Sequence, residues 1–352
     1  MDTVSNTRGE IMIESLRVLN LQSEDQIRKL KAFLNTFDLT LDVIDYAIVA
    51  EIGQTIIGSC CKHKNILKCF AIDPKYQGLG LTQKLLTEAA YQAFEKGYYH
   101  TFIFSKPSNA QIFLSLGYKE IMTTKEVIFM EKGSSFISDY IQNLDNKYNL
   151  SSTRNGAIVM NCNPFTLGHQ YLIETAAKQV DRLVVFAVEE DVSTFPFEDR
   201  LQLMISGTQH LSNVLVLPSS FYIISQATFP NYFLRDKEHA FSTYARLDLS
   251  IFGYWFSKLN IKIRFVGEEP LDPKTDMYNQ TMMEILPQFD IQLKIIPRKE
   301  NEFGIISASK VRALLKEDRW DEVAQFVPKT TYDYLLNADE VIAKLKKFDS
   351  QH

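Results

Sequence analysis

Beyond residue 155, this 352-residue chain alternates short apolar runs with helix-like stretches, and that alternation restricts its fold more than any other feature. The runs cover 156–160, 182–188, 214–217, 262–266 and 293–296. Strands of that length, separated by helices, predict a parallel sheet with helices on both faces, because a parallel crossover needs a helix-sized connection. Such a doubly wound α/β sheet binds ligands at the carboxyl ends of its strands, near the point where strand order reverses.

The first part of the chain reads as a different α/β unit. A helix is expected over 27–34, with Ser23 near its start. Strands follow at 45–50 and 55–61, joined at Gly53, and at 66–72. A helix over 81–96 closes at Gly97 before a strand at 101–105. The polar stretch 132–155 carries two Ser-Ser pairs and a helix near 136–148. The expected organisation is a first domain over 1–131, a connecting segment over 132–155 and a second domain over 156–352.

Composition sets limits on partners. A net charge of −5 argues against non-specific nucleic-acid binding while leaving room for a local basic pocket. The four cysteines, Cys60, Cys61, Cys69 and Cys162, have no metal-ligand spacing, so no protein-held metal is expected. No apolar run approaches a membrane span, and no signal peptide is evident, so the expectation is a cytoplasmic protein without a membrane partner.

Chemistry concentrates first after the run 156–160, in Asn161-Cys162-Asn163-Pro164-Phe165-Thr166-Leu167-Gly168-His169. Pro164 stiffens this loop, Gly168 lets backbone approach a ligand, and the following helix N-terminus suits phosphate. His169, in the first helical turn, can donate to an oxygen gaining charge. A lone Gly-His pair is more simply a turn with a surface histidine. A second element is Ile306-Ser307-Ala308-Ser309-Lys310-Val311-Arg312, where two hydroxyls and a cation at a helix start can hold a polyphosphate. Ser307 and Ser309 are otherwise an N-cap pair. Glu189-Glu190-Asp191 is a candidate for Mg²⁺ or a solvated strand end, and Gly267-Glu268-Glu269-Pro270 falls where adenine or ribose contacts belong. Arg200 reads either as a phosphate contact or as a salt-bridge partner of Glu198 or Asp199.

Together these segments resemble the Rossmann-like nucleotidylyltransferase superfamily, whose marks are a TxGH or HxGH loop and a distal ISSxxxR-like segment. The resemblance implies that His169 stabilises the α-phosphate in the transition state, and that Thr166 stands where the commoner version has a histidine. It implies that Ser307, Ser309 and Arg312 hold the β- and γ-phosphates, and that Asn161, Asn163, Pro164, Phe165, Gly168, Gly267 and Glu268 belong to the ATP site.

The first domain carries Asp73-Pro74-Lys75-Tyr76-Gln77-Gly78-Leu79-Gly80-Leu81-Thr82 between a strand and a helix, a candidate anion nest. With Asn109-Ala110-Gln111-Ile112-Phe113-Leu114-Ser115-Leu116-Gly117-Tyr118, it resembles the GNAT acetyltransferase fold over about 13–131. That resemblance implies binding of a CoA-like pyrophosphate by Gln77, Gly78, Leu79, Gly80 and Thr82. Glu51 and Tyr118 are candidates for a general base, and a non-catalytic GNAT scaffold is the alternative.

The two domains in this order resemble the citrate lyase ligase family. Further likeness lies in Ser225-Gln226-Ala227-Thr228-Phe229-Pro230 and Val266-Gly267-Glu268-Glu269-Pro270. The family resemblance implies an enzyme that uses ATP, with Mg²⁺, to join acetate to a thiol by way of acetyl-adenylate. The thiol belongs to the phosphoribosyl-dephospho-CoA group on the acyl carrier subunit of citrate lyase. The alternatives are another adenylyltransferase, making a dinucleotide, or a non-catalytic nucleotide or acetyl-CoA sensor.

Overall fold

A computed structural model describes residues 15–189, 193–223, 237–268, 273–302 and 304–347. Two compact units divide them: 15–136 with 237–243, and 137–223 with 244–347, excepting the undescribed positions.

The first unit is a seven-stranded sheet in the order β1-β2-β3-β4-β5-β7-β6. Its strands are β1 (Ser15–Val18), β2 (Tyr46–Ile52), β3 (Thr55–His63), β4 (Ile66–Ile72), β5 (Thr101–Ser105), β6 (Lys119–Thr123) and β7 (Ile128–Lys132). Helices α1 (Glu24–Asn35), α2 (Leu81–Glu95) and α3 (Ala110–Ser115) accompany them. Only β4 and β5 pair in parallel, and they do so over two residue pairs, Ile66 with Phe102 and Leu67 with Ile103. Beyond that point β4 stays with β3 and β5 stays with β7, so the sheet parts. Beside the parting lies a cavity of about 210 Å³ lined by Phe70, Phe104, Ser105 and Asn109 among others. Leu85, Leu86 and Ala89 recur on one face of α2 and pack with Ile48, Cys60 and Met130 into the core.

The second unit has five parallel strands in the order β10-β9-β8-β11-β12. They are β8 (Asn155–Met160), β9 (Arg182–Ala187), β10 (Val214–Pro218), β11 (Ile261–Gly267) and β12 (Gln292–Ile296). The chain runs outward from β8 through β9 to β10, then returns to place β11 on the other side of β8. The strand-order reversal therefore falls between β8 and β11. Helices α4 (Ile137–Tyr148), α5 (Leu167–Ala177), α6 (Phe197–Thr208), α7 (Lys237–Ile251, of which this unit has the part from Tyr244) and α8 (Pro273–Ile285) precede or connect the strands. A C-terminal cluster of α9 (Ala308–Lys316), α10 (Trp320–Val323), α11 (Lys329–Leu335) and α12 (Asp339–Lys347) is absent from the strand-based sequence reading, apart from the start of α9. Its core is Val311, Leu314, Leu315, Phe326 and Leu335.

All four cysteines are buried and free. Among the described residues, no helix is long and apolar enough to cross a membrane.

Candidate functional site

The site starts from a helix cap. Thr166 precedes α5 in an extended conformation, and its hydroxyl accepts the His169 N–H at 3.3 Å. His169 reciprocates: its Nδ1 stands 3.0 Å from the Thr166 amide nitrogen and 3.0 Å from Thr166 Oγ1. This is a capping box with histidine in the place usually taken by Glu or Gln. A backbone amide can only donate, so Nδ1 is the acceptor and the imidazole proton sits on Nε2. Burial, reinforced by the positive charge of Arg298, pushes the His169 pKa down to about 4. The ring is therefore a neutral Nε2–H donor at physiological pH. Phe165 backs it, with ring centroids 5.9 Å apart.

His169 lines a cavity of about 510 Å³ at the carboxyl ends of β8, β11 and β12. The register explains the place: Gly267 pairs with Ile296 at the ends of β11 and β12, and Met160 ends β8 next to them. Gly168, Gly267, Ser307, Ala308 and Ser309 share the wall. Gly168 is needed for a reason other than the one read from sequence. A Cβ there would stand 3.0 Å from the Ile306 carbonyl, so glycine lets α5 meet the segment before α9. Ser307 caps α9, its Oγ accepting the Lys310 N–H at 3.2 Å, and Ser309 Oγ accepts from Arg312 at 3.4 Å.

Three cations reach this wall that the sequence reading did not single out: Arg264, Arg298 and Lys299. Among the described lining residues there is no carboxylate to oppose them. Arg298 is held by the Glu268 carbonyl at 2.7 Å. Its position just past the end of β12 was a signal available in the sequence, since ligands gather at strand ends. Arg264, in the middle of a strand, gave no such signal. A protein of net charge −5 thus concentrates positive charge where its two helix N-termini converge.

Several residues expected at the ATP site instead support it. Phe165 is fully buried, and Gly207 leaves room for its ring, which a Cβ there would meet at 2.4 Å. Asn161 exchanges hydrogen bonds with Ser193, and Asn163 Oδ1 accepts the Phe195 N–H at 3.0 Å. Pro164 is buried, and Glu268 is exposed. None of these five lines the cavity. Arg312 donates to the Asn163 carbonyl at 2.5 Å as well as to Ser309, so it joins the loop after β8 to α9. Arg200, read from sequence as a phosphate contact or a salt-bridge partner of Glu198 or Asp199, bonds main-chain carbonyls. It is fully buried and donates to the carbonyls of Asn161, Val188 and Phe195, which clamps the same loop. Asp199 instead accepts from the Tyr334 hydroxyl. Glu189 accepts the Ser220 N–H at 2.8 Å. The candidates Glu190, Asp191, Glu269, Pro270 and the segment 225–230 lie outside the described residues.

In the first unit, Gln77, Gly78, Leu79, Gly80 and Thr82 come together at the start of α2, with Gln77 through Gly80 exposed. Gly78 and Gly80 have φ of 80° and 74°, a region that favours glycine, and open space where a Cβ would stand. The two candidate bases do not fit that role. Glu51 is buried and forked by Arg17 at 2.8 and 2.6 Å. Tyr118 is buried, shares a hydrogen bond with Thr101, and has its pKa raised by burial.

Comparison with known proteins matches residues 155–335 to the citrate lyase ligase C-terminal domain and residues 44–120 to the acetyltransferase (GNAT) domain. A citrate (pro-3S)-lyase ligase of Klebsiella pneumoniae is 38% identical over 331 residues, covering 92% of this chain and 96% of that protein. The Escherichia coli K12 protein of the same name is 36% identical over 320 residues, covering 89% and 91%. Among solved structures, Thermotoga maritima TmcAL bound with alpha-thio ATP overlays 53% of this chain and 56% of its own, at 13% identity and a TM-score of 0.38.

Proposed function

The chain belongs to the citrate lyase ligase family and is an enzyme of that family, and from that premise we propose that it acetylates a carrier-bound thiol at the expense of ATP. The observation that carries the reading is the cavity at the sheet's switch point. It combines a neutral, oriented imidazole donor, two helix N-termini and three cations, with no carboxylate among its described lining residues.

Acetate is a poor acyl donor because its leaving group would be oxide. In the proposed first step, an acetate oxygen attacks the α-phosphorus of ATP and diphosphate leaves, giving acetyl-adenylate. His169 Nε2–H donates to a non-bridging α-phosphate oxygen as its charge grows, the kind of aimed donor that serves such centres. Ser307, Ser309 and the α9 N-terminus hold the departing diphosphate, with Arg298 and Lys299 balancing its charge. Thr166 acts through His169, so it is a positioning residue, and Arg312 positions Ser309 and the loop. In the second step, a thiolate attacks the acetyl carbonyl and AMP leaves.

Among the described residues, no group of three His, Cys, Asp or Glu could hold a metal ion. Mg²⁺ enters with the substrate, as the counter-ion of the nucleotide's phosphates. The acceptor is the acyl carrier subunit of citrate lyase with its phosphoribosyl-dephospho-CoA group. Its pyrophosphate is cradled by Gln77–Thr82 at the α2 N-terminus. The division of the chain into a carrier-arm domain, a connector and an adenylating domain follows the same reading, as does a cytoplasmic location beside citrate lyase.

The experiment is exchange of labelled diphosphate into ATP with and without acetate, followed by addition of deacetylated citrate lyase. Acetate-dependent exchange and recovery of lyase activity are expected. Exchange that ignores acetate would overturn the proposal.

A further inference from the structure

The core of the second unit contains a charge that the fold does not use. Arg264 lies on β11 and is 5% exposed. Its Nε and Nη1 are buried and have no hydrogen-bond partner among the described residues. The guanidinium sits over the Phe252 ring, 4.4 Å from its centroid. Asp248 is close enough to influence it, but that carboxylate takes the Tyr278 hydroxyl at 2.5 Å. Leaving donors of a buried cation unmet is costly, and a methionine or leucine would fill the same space without the cost. A residue that breaks local rules without a structural gain marks a functional place.

Arg264 lines the same cavity as His169, together with Tyr278, Asn279 and Met282. It stands three residues before the end of β11, roughly 10 Å below the rim by strand rise. The rim has its own phosphate equipment in Arg298, Lys299 and the α9 N-terminus. What the deeper wall offers is different: a guanidinium with unmet donors, a group that suits a carboxylate, beside the buried apolar side chain of Met282. We propose that Arg264 is the substrate-binding residue that holds the carboxylate of the small acid to be activated, with its short apolar tail toward Met282. This rests on the adenylating reaction proposed above, whose acid-selecting residue it supplies.

The test uses the full chain with Arg264→Gln and Arg264→Lys. Diphosphate exchange is measured across acetate concentrations, MgATP binding by calorimetry, and thermal melting with and without acetate. The expected result for Arg264→Gln is an apparent KM for acetate raised about tenfold or more, with MgATP affinity within about twofold, a melting temperature no lower than wild type, and a smaller defect in Arg264→Lys. Acetate should raise the melting temperature of the wild type and not of Arg264→Gln, because a ligand stabilises only the form that binds it. An unchanged KM for acetate would overturn the proposal, as would MgATP affinity falling in step with it, or a lowered melting temperature with normal kinetics. If the wild type shows no acetate-dependent exchange, the adenylating reading fails. The acetate-induced melting shift then decides Arg264 alone: its presence in wild type and absence in Arg264→Gln upholds the carboxylate site, and its absence in both overturns it.

Discussion

Both units place a helix N-terminus after the carboxyl end of a strand, yet they equip it differently. In the second unit, the first turn of α5 carries a histidine locked by its own cap, and cations line the cavity it faces. In the first unit, the start of α2 has Gly80 as its N-cap, with no side-chain cap bond, and exposed glycines before it. The first arrangement has a donor of fixed tautomer in the wall of a cation-lined cavity. The second presents backbone N–H groups and a helix dipole, which suit an anion, without a locked side-chain donor in its cap. A helix N-terminus is thus a generic anion site, and the side chains fixed around it decide whether chemistry follows.

The sharpest way to break this comparison is His169→Ala. Acetate-dependent diphosphate exchange should fall by about 10²–10³, the usual cost of one aimed donor, while MgATP binding changes little. Near-normal exchange would reduce α5 to the same status as α2. The reciprocal change is Gly80→Asp. Asp tolerates positive φ, and a side chain there meets open space, so the fold should survive. Transfer to the carrier thiol should drop at least about tenfold through like-charge repulsion, with exchange intact. If transfer is unaffected, the α2 start does not hold the arm.

A smaller effect is expected from Thr166→Val, which keeps the amide bond to Nδ1 but loses the hydroxyl. Stability should fall by about 1 kcal/mol, as for a lost N-cap, with exchange reduced several-fold. The subtlest test is pH. His169 has a pKa of about 4 in the fold against 6.5 for the ordinary group, so the unfolded chain takes up the proton first as pH falls. The stability supplied by the neutral ring is complete above 6.5 and is lost between there and about 4. The melting temperature of wild type should therefore fall more steeply from pH 7 to pH 5 than that of His169→Gln, which keeps a cap-compatible side chain. Equal slopes would mean that the ring is not held neutral.

Much of this was legible beforehand because local rules and global fold agree. The five parallel strands, their order of appearance and the strand–loop–helix around His169 follow from apolar runs and turn residues. The same is true of α2, with Gly97 closing it at φ 84°. The short strands β6 and β7 and the C-terminal helices are not legible in the sequence, since elements of 4–9 residues carry little periodicity. At the site, a motif is more than a list of ligand contacts. Phe165, Asn161, Asn163 and Arg200 belong to the motif region but serve as packing and clamps.

What the sequence by itself determined is the class of fold and the presence of two glycine-bearing helix starts after strands, because both depend on residues adjacent in the chain. Tertiary structure alone decided the rest. The proton on His169 Nε2 depends on a cap geometry that must form first. The gathering of Arg264, Arg298 and Lys299 with Ser307 around it depends on strands and loops far apart in sequence. Burial then gives those groups their chemistry, since removal from water holds the imidazole neutral and leaves Arg264 with donors unmet.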